Sequence, residues 1–372
     1  MRRSILSVLT AVLAIGLIPT PSRTAAAETV PAFPDEPPLH IRGAALDESL
    51  SCTPFVHEDR PPVLLVHGTT VTGTEEFSIF YAPQLARRGF DVCVVTYPDR
   101  GLGDQQISAE YIVHALRTIH AQTGRRVAMI GHSQGASMPR WALKYWPSAR
   151  DAVADFVLLA GPNHGTSAPV TAVLPVTQGL GLFTSALGLF DGLTPAGLLQ
   201  FERDANFTTA VNAGDETPGD IDYTSLYTRY DELVQPVSPV PTAALDFGQD
   251  NPRVANILLQ DVCPGHLAEH FSIGTTDALA FALALDAISH PGPADVARAG
   301  GPSGLCGRLP IALGEYLNAD TVTGLIDILT STLSDPMLDL HLTADEPRLM
   351  DYARTDGPSR TSADAGRSDQ AM

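Results

Sequence analysis

Val127-Ala128-Met129-Ile130-Gly131-His132-Ser133-Gln134-Gly135 carries an apolar run into a serine with a glycine two positions to either side. The run reads as a buried strand, and residues 136–146 beyond it read as a helix. A serine at such a strand-to-helix turn has a mechanical meaning. The turn is too tight for side chains at the flanking positions, and it lifts the hydroxyl clear of the sheet edge, where a base can reach it. Serine alone is a poor nucleophile. The motif therefore predicts a histidine, an acid and a pair of oxyanion donors elsewhere in the chain.

Outward from this point the sequence alternates. Residues 62–66 are continuously apolar and end in His67-Gly68, and 90–96 and 156–160 also read as strands. Runs of this kind suit strands covered on both faces, as in parallel sheets. Residues 223–230 and 254–259 read as later strands. Helical spacing appears at 108–121, with Tyr111, Ile112, Ala115, Leu116 and Ile119 on one face, and again at 277–288. The alternation argues an α/β fold with a mostly parallel central sheet and helices on both faces. Residues 165–201 break the pattern. They are apolar but punctuated by Pro169, Pro175 and Pro195, and read either as ordinary core or, by analogy with such sheets, as a cap over the serine (165–205) that lines an apolar pocket.

The ends read as accessory. Arg2 and Arg3, an apolar stretch over 5–18 and small residues at Ala25 and Ala27 describe a signal peptide, 1–27, and so a secreted protein. Residues 28–50 are proline-rich and are expected to form an extended lead-in. A catalytic domain is expected over 51–354, and 355–372 reads as a flexible polar tail. The formal net charge of −19, with no basic cluster, disfavours nucleic acid and anionic membrane surfaces as partners. A monomer is expected. Four cysteines, Cys52, Cys93, Cys263 and Cys306, suggest two disulfides in an exported chain, and three connectivities are possible. The local pairing is Cys52–Cys93 with Cys263–Cys306, each contributing about 3–4 kcal/mol in the chain-entropy model. No Cys-x-x-Cys pair or His/Cys cluster has zinc spacing, so no metal site is indicated, and no cofactor is called for.

In this fold the acid and the base follow the serine in that order. Asp231 comes where the strand at 223–230 ends, and Glu232 is its neighbour and competitor. Asp220, Asp222 and Asp246 fall before that strand or well beyond it. His266, His270, His290 and His341 follow the acid. His266 and His270 both lie in a loop between a strand and a helix, the expected place for the base, and His270 is nearer the helix. The oxyanion donors should be the amide of Gln134 and the loop His67-Gly68-Thr69-Thr70, in which Thr69 offers both an amide and a hydroxyl. His67 precedes the serine and reads as structural, His132 as packing, and His164 as a residue that shapes its loop.

Val66-His67-Gly68-Thr69-Thr70-Val71-Thr72-Gly73, Ser133-Gln134-Gly135, and Leu226-Tyr227 through Asp231-Glu232-Leu233-Val234-Gln235-Pro236 resemble α/β-hydrolase lipases of the Candida antarctica lipase B type. Residues 346–354 are similar to the C-terminal segment of that family. The resemblance implies an α/β-hydrolase fold and a serine esterase or lipase acting on a lipid or other apolar ester. It implies Ser133 as nucleophile, Asp231 as acid, and Thr69 and Gln134 as oxyanion donors. Counting back from the following helix aligns His270 with the base. The same disulfide pairing is implied, while the family's third, C-terminal disulfide has no counterpart here. A helix at 321–333 matches one that flanks the family's pocket. The alternatives are a polyester hydrolase or acyltransferase using the same triad, and a binding protein that keeps the fold without catalysis.

Overall fold

The computed structural model describes residues 33–168, 194–309, 311 and 342–354. The chain divides into a short N-terminal unit, Met1–Pro34, and a large unit, Asp35–Met372. Only Phe33 and Pro34 of the first are described, and the sheet and the candidate site belong to the second. The proposed signal peptide, the polar tail, the helix at 321–333, His341 and the stretch 169–193 of the cap lie outside the described residues.

Seven strands form one sheet: β1 (Leu50–Cys52), β2 (Val63–Val66), β3 (Val92–Val95), β4 (Val127–His132), β5 (Val153–Leu159), β6 (Asp222–Tyr227) and β7 (Val254–Leu258). Their spatial order is β1-β3-β2-β4-β5-β6-β7. Every neighbouring pair is parallel except β1 with β3. The chain winds outward in one direction through β3 and in the other through β4. That reversal lies between β2 and β4, and a crevice opens at the carboxyl ends of strands where it occurs. Val66 pairs with Gly131 in register, so the loop after β2 and the turn after β4 emerge side by side.

The helices used below are α1 (Gly43–Glu48), α2 (Gly73–Phe77), α3 (Gln105–Thr123), α4 (Gln134–Ser137), α5 (Pro139–Tyr145), α6 (His270–Gly274) and α7 (Ala278–Ser289). Strand side chains alternate between two cores. Leu64, Val66, Met129 and Leu158 face a core with Ile112 and Leu116 of α3 and Trp141 of α5. Val63, Leu65, Ile130 and Val157 face another with Leu279 and Leu283 of α7. This explains why β2 is apolar at every position: all four of its residues are buried. Each such side chain is worth roughly 1.5–3 kcal/mol by burial. The helix ends are set locally. Asp104 caps α3 by accepting from the Gln106 amide at 2.9 Å, and Gly124, at φ 65°, ends it in the left-handed region.

Two expectations need correction. The lead-in over 28–50 is not extended throughout, because Gly43–Glu48 is helical and Leu50 already pairs with Val95. The prolines stop at Pro38, the following residues include good helix formers, and Leu46 is buried. The strand expected to run into Asp231 ends at Tyr227. There the Thr228 hydroxyl donates to the Ala268 carbonyl at 2.7 Å and draws the chain off the ladder.

Both disulfides follow the local pairing, Cys52–Cys93 and Cys263–Cys306. The first joins directly opposed residues of β1 and β3.

Candidate active site

Ser133 stands on the turn between β4 and α4 with φ 54° and ψ −119°. A non-glycine residue in that region costs on the order of 1–3 kcal/mol, and it persists only where its surroundings over-determine it. Here its amide donates to the Leu159 carbonyl of β5 at 2.8 Å. A Cβ on Gly131 would lie 1.8 Å from the Gly135 carbonyl oxygen, and one on Gly135 would lie 2.1 Å from the Val66 oxygen. The two glycines are thus required by space, which is the physical content of the motif. Gln134 is buried, and its side-chain amide donates to the Gly101 carbonyl at 2.8 Å.

His270 opens α6. Glu269 caps that helix, accepting from the amides of Phe271 at 2.7 Å and Ser272 at 2.8 Å. The His270 Nε2 lies 2.9 Å from Ser133 Oγ, and its Nδ1 lies 3.0 Å from both carboxylate oxygens of Asp231. Asp231 Oδ1 also accepts the amides of Leu233 at 2.9 Å and Val234 at 2.7 Å, which fixes the carboxylate on its loop. Burial pushes the His270 imidazole down, but the charge and hydrogen bond of Asp231, with the charges of Glu232 and Glu76, outweigh it and hold the pKa above the ordinary histidine value. Glu232, the competing acid, instead accepts the His270 backbone amide at 3.2 Å.

His266 meets a different carboxylate. Its Nε2 lies 2.6 Å from Asp277, the residue that caps α7. That hydrogen bond raises its pKa. His67 is buried and stacked on Tyr97 with ring centroids 3.8 Å apart. Its desolvation pulls its pKa down to about 4. His164 lies 3.1 Å from the Thr242 carbonyl and 2.5 Å from Glu216, a loop-shaping role.

The loop after β2 presents Thr69 to the serine. The amides on either side are committed: Gly68 donates to Glu76 at 2.6 Å, and Thr70 to the Arg100 carbonyl at 2.6 Å. The Thr69 hydroxyl is buried without a partner among the described residues. A buried orphan donor is costly, and it fits a site where negative charge appears during reaction. Thr69, Ser133 and His270 line a cavity of about 100 Å³ whose apolar wall includes Val71, Phe201, Leu233 and Val234. Among the described residues no group of three His, Cys, Asp or Glu side chains is arranged to hold a metal ion.

Sequence reading missed part of this site. His132, read as packing, has Nδ1 against Glu76 and Nε2 2.8 Å from the His270 carbonyl oxygen. Glu76 was not singled out at all. The one local signal was an acidic pair, Glu75-Glu76, in a helix whose capping box uses only Glu75.

A parallel sheet that reverses its winding direction beside a strained serine turn, with an acid and a histidine delivered by later loops, is the α/β-hydrolase arrangement. Residues 60–245 match the model of the family described as lipase (class 2), and the chain belongs to that family. It is 28% identical to lipase B of Pseudozyma antarctica over 59% of this chain, and it spans 59% of that relative's length. It is also similar to the crystal structure of Aspergillus fumigatus lipase B, with a TM-score of 0.73 and 27% identity over 89% of this chain and 78% of that one.

Proposed function

We propose that this chain is a secreted carboxylic-ester hydrolase of the lipase type, working through a covalent acyl-enzyme. Ser133 Oγ attacks the ester carbonyl carbon while its proton passes to His270 Nε2. Asp231 stabilises the imidazolium that forms. The carbonyl oxygen, now negative, takes hydrogen bonds from Thr69 and from the Gln134 amide. Collapse expels the alcohol, which leaves with the proton from His270. Water then repeats the cycle on the acyl-enzyme, releasing the acid and regenerating the serine. The apolar wall of Val71, Phe201, Leu233 and Val234 suits the acyl or alcohol chain of an apolar ester. Two disulfides accord with an extracellular setting.

The observation that carries this reading is the continuous chain of contacts from Ser133 Oγ through both nitrogens of His270 to Asp231. Ser133→Ala should abolish turnover of p-nitrophenyl esters and labelling by a fluorophosphonate probe, with the melting temperature retained. Turnover that survives the substitution rejects the assignment.

A further inference from the structure

Glu76 and His132 meet inside the site without belonging to the proposed triad. Both are buried, at 2% and 3% exposure. The two polar atoms not used within the pair reach different parts of the site. Glu76 Oε2 accepts the Gly68 amide at 2.6 Å, on the loop that presents Thr69. Glu76 Oε1 meets Nδ1 of His132, the residue before Ser133. His132 Nε2 lies 2.8 Å from the backbone oxygen of His270. One carboxylate–imidazole unit therefore contacts the donor loop, the nucleophile's strand and the base's backbone.

The proton count follows from the partners. A carbonyl oxygen only accepts, so His132 Nε2 bears a proton. Nδ1 faces a carboxyl group, so a second proton lies between the ring and Glu76, on one side or the other. In either form the pair is neutral as a unit and its hydrogen bonds are matched, the condition under which a buried polar network specifies geometry. The neighbouring backbone is cut to seat this ring. A Cβ on Gly274 of α6 would come within 2.2 Å of the His132 ring. The His132 and His270 rings lie 5.0 Å apart.

We propose that Glu76 and His132 are positioning residues that hold the Thr69 loop, the Ser133 turn and the His270 helix in one mutual register, a role that rests on the esterase reading above. Neither side chain moves a proton of the reaction. Their effect is on the distances among groups that do, and a misplacement of about 1 Å among such groups costs on the order of a hundredfold in rate.

Glu76→Gln, His132→Gln and the double variant test this beside the wild type and Ser133→Ala, on a short-chain p-nitrophenyl ester. Glu76→Gln can still accept from the Gly68 amide and donate to Nδ1 of a neutral His132, so it keeps the contacts matched and serves as the conservative variant. His132→Gln removes the ring, leaves the Glu76 carboxylate buried without it and loses stability, whereas the double variant removes that charge and recovers stability. The double variant is expected to melt close to the wild type, yet with kcat lower by roughly tenfold to a hundredfold. KM should stay within about twofold, and the double should be no slower than the slower single, because the two act as a unit. A folded double variant with wild-type kcat overturns the proposal, as does a loss confined to KM. A wild-type chain that turns over no ester, or a Ser133→Ala variant that does, overturns the esterase reading and this proposal with it.

Discussion

At the scale of single residues, the candidate base is decided by which carboxylate each histidine meets. His270 lies between Ser133 and Asp231, and His266 is held by Asp277. His270→Ala should therefore reduce kcat to background, whereas His266→Ala should leave kcat within about threefold and lower the melting temperature through the lost pairing with Asp277. Assaying both variants on one ester checks this directly. The same geometry fixes a pH dependence. In the proposed reaction His270 must be neutral to take the serine proton, and its pKa is raised, so activity should be lost as the pH falls through a value above the ordinary histidine pKa of about 6.5. Asp231→Asn removes the charge that raises it. The acidic limb of kcat/KM should then move to lower pH, with kcat down by a factor on the order of 10⁴. A limb that stays in place would show that another group controls it.

At the scale of elements, the Ser133 turn is held by close backbone contact more than by any side chain. Gly131→Ala would drive a methyl group into the Gly135 carbonyl, and Gly135→Ala would drive one into the β2 backbone. In both cases backbone is opposed to backbone, so no side chain can rotate away to relieve the clash. Both variants should lose activity and melt several degrees lower, whereas Gly124→Ala, at the end of α3 with nothing within 4 Å of its Cβ, should cost only the left-handed strain and leave kcat unchanged. Circular dichroism melts and ester assays on the three variants separate these outcomes. The elements most legible in the sequence were those in which one local property sets the outcome. The apolar run of β2 and the spacing of α3 state their burial in adjacent residues. The end of β6 was misplaced because it is set by a hydrogen bond from Thr228 to Ala268, far along the chain. The contact of Glu76 with His132 was invisible for the same reason, since it joins residues 56 apart and neither carries a local pattern that names the other. The order of serine, acid and histidine was readable because the fold constrains it, but the choice between His266 and His270 was not settled by the loop alone. It depended on counting back from the helix at 277–288, because α6, which Glu269 and Ser272 cap just after His266, reads as loop in the sequence.

At the scale of the whole molecule, the two disulfides divide the labour between the sheet edge and the site. Cys52–Cys93 fastens β1, the one antiparallel strand of the main sheet, to β3, and the Ser133 turn lies across β2 and β4 from it. Cys263–Cys306 tethers the segment that leads into His270. The closed loops have nearly equal sequence separations, 41 and 43 residues, so the chain-entropy model gives each a similar stabilisation of about 4 kcal/mol. Their consequences for catalysis should nevertheless differ. The Cys52→Ser/Cys93→Ser double variant is expected to lose stability with kcat near that of the wild type, because β2 and β4 keep their own pairing through Val66 and Gly131. The Cys263→Ser/Cys306→Ser double variant should lose comparable stability and, in addition, some turnover, since the segment that leads into His270 then keeps its hydrogen bonds, among them Gln260 to the His266 carbonyl at 2.9 Å and Thr228 to the Ala268 carbonyl at 2.7 Å, but loses its covalent tether. Urea unfolding gives the stability change from the shift in midpoint at constant slope. Ester kinetics measured well below that midpoint give the catalytic change on folded protein. If both pairs of substitutions lower kcat equally, the division between sheet edge and site is wrong, and the first disulfide also reaches the catalytic loops.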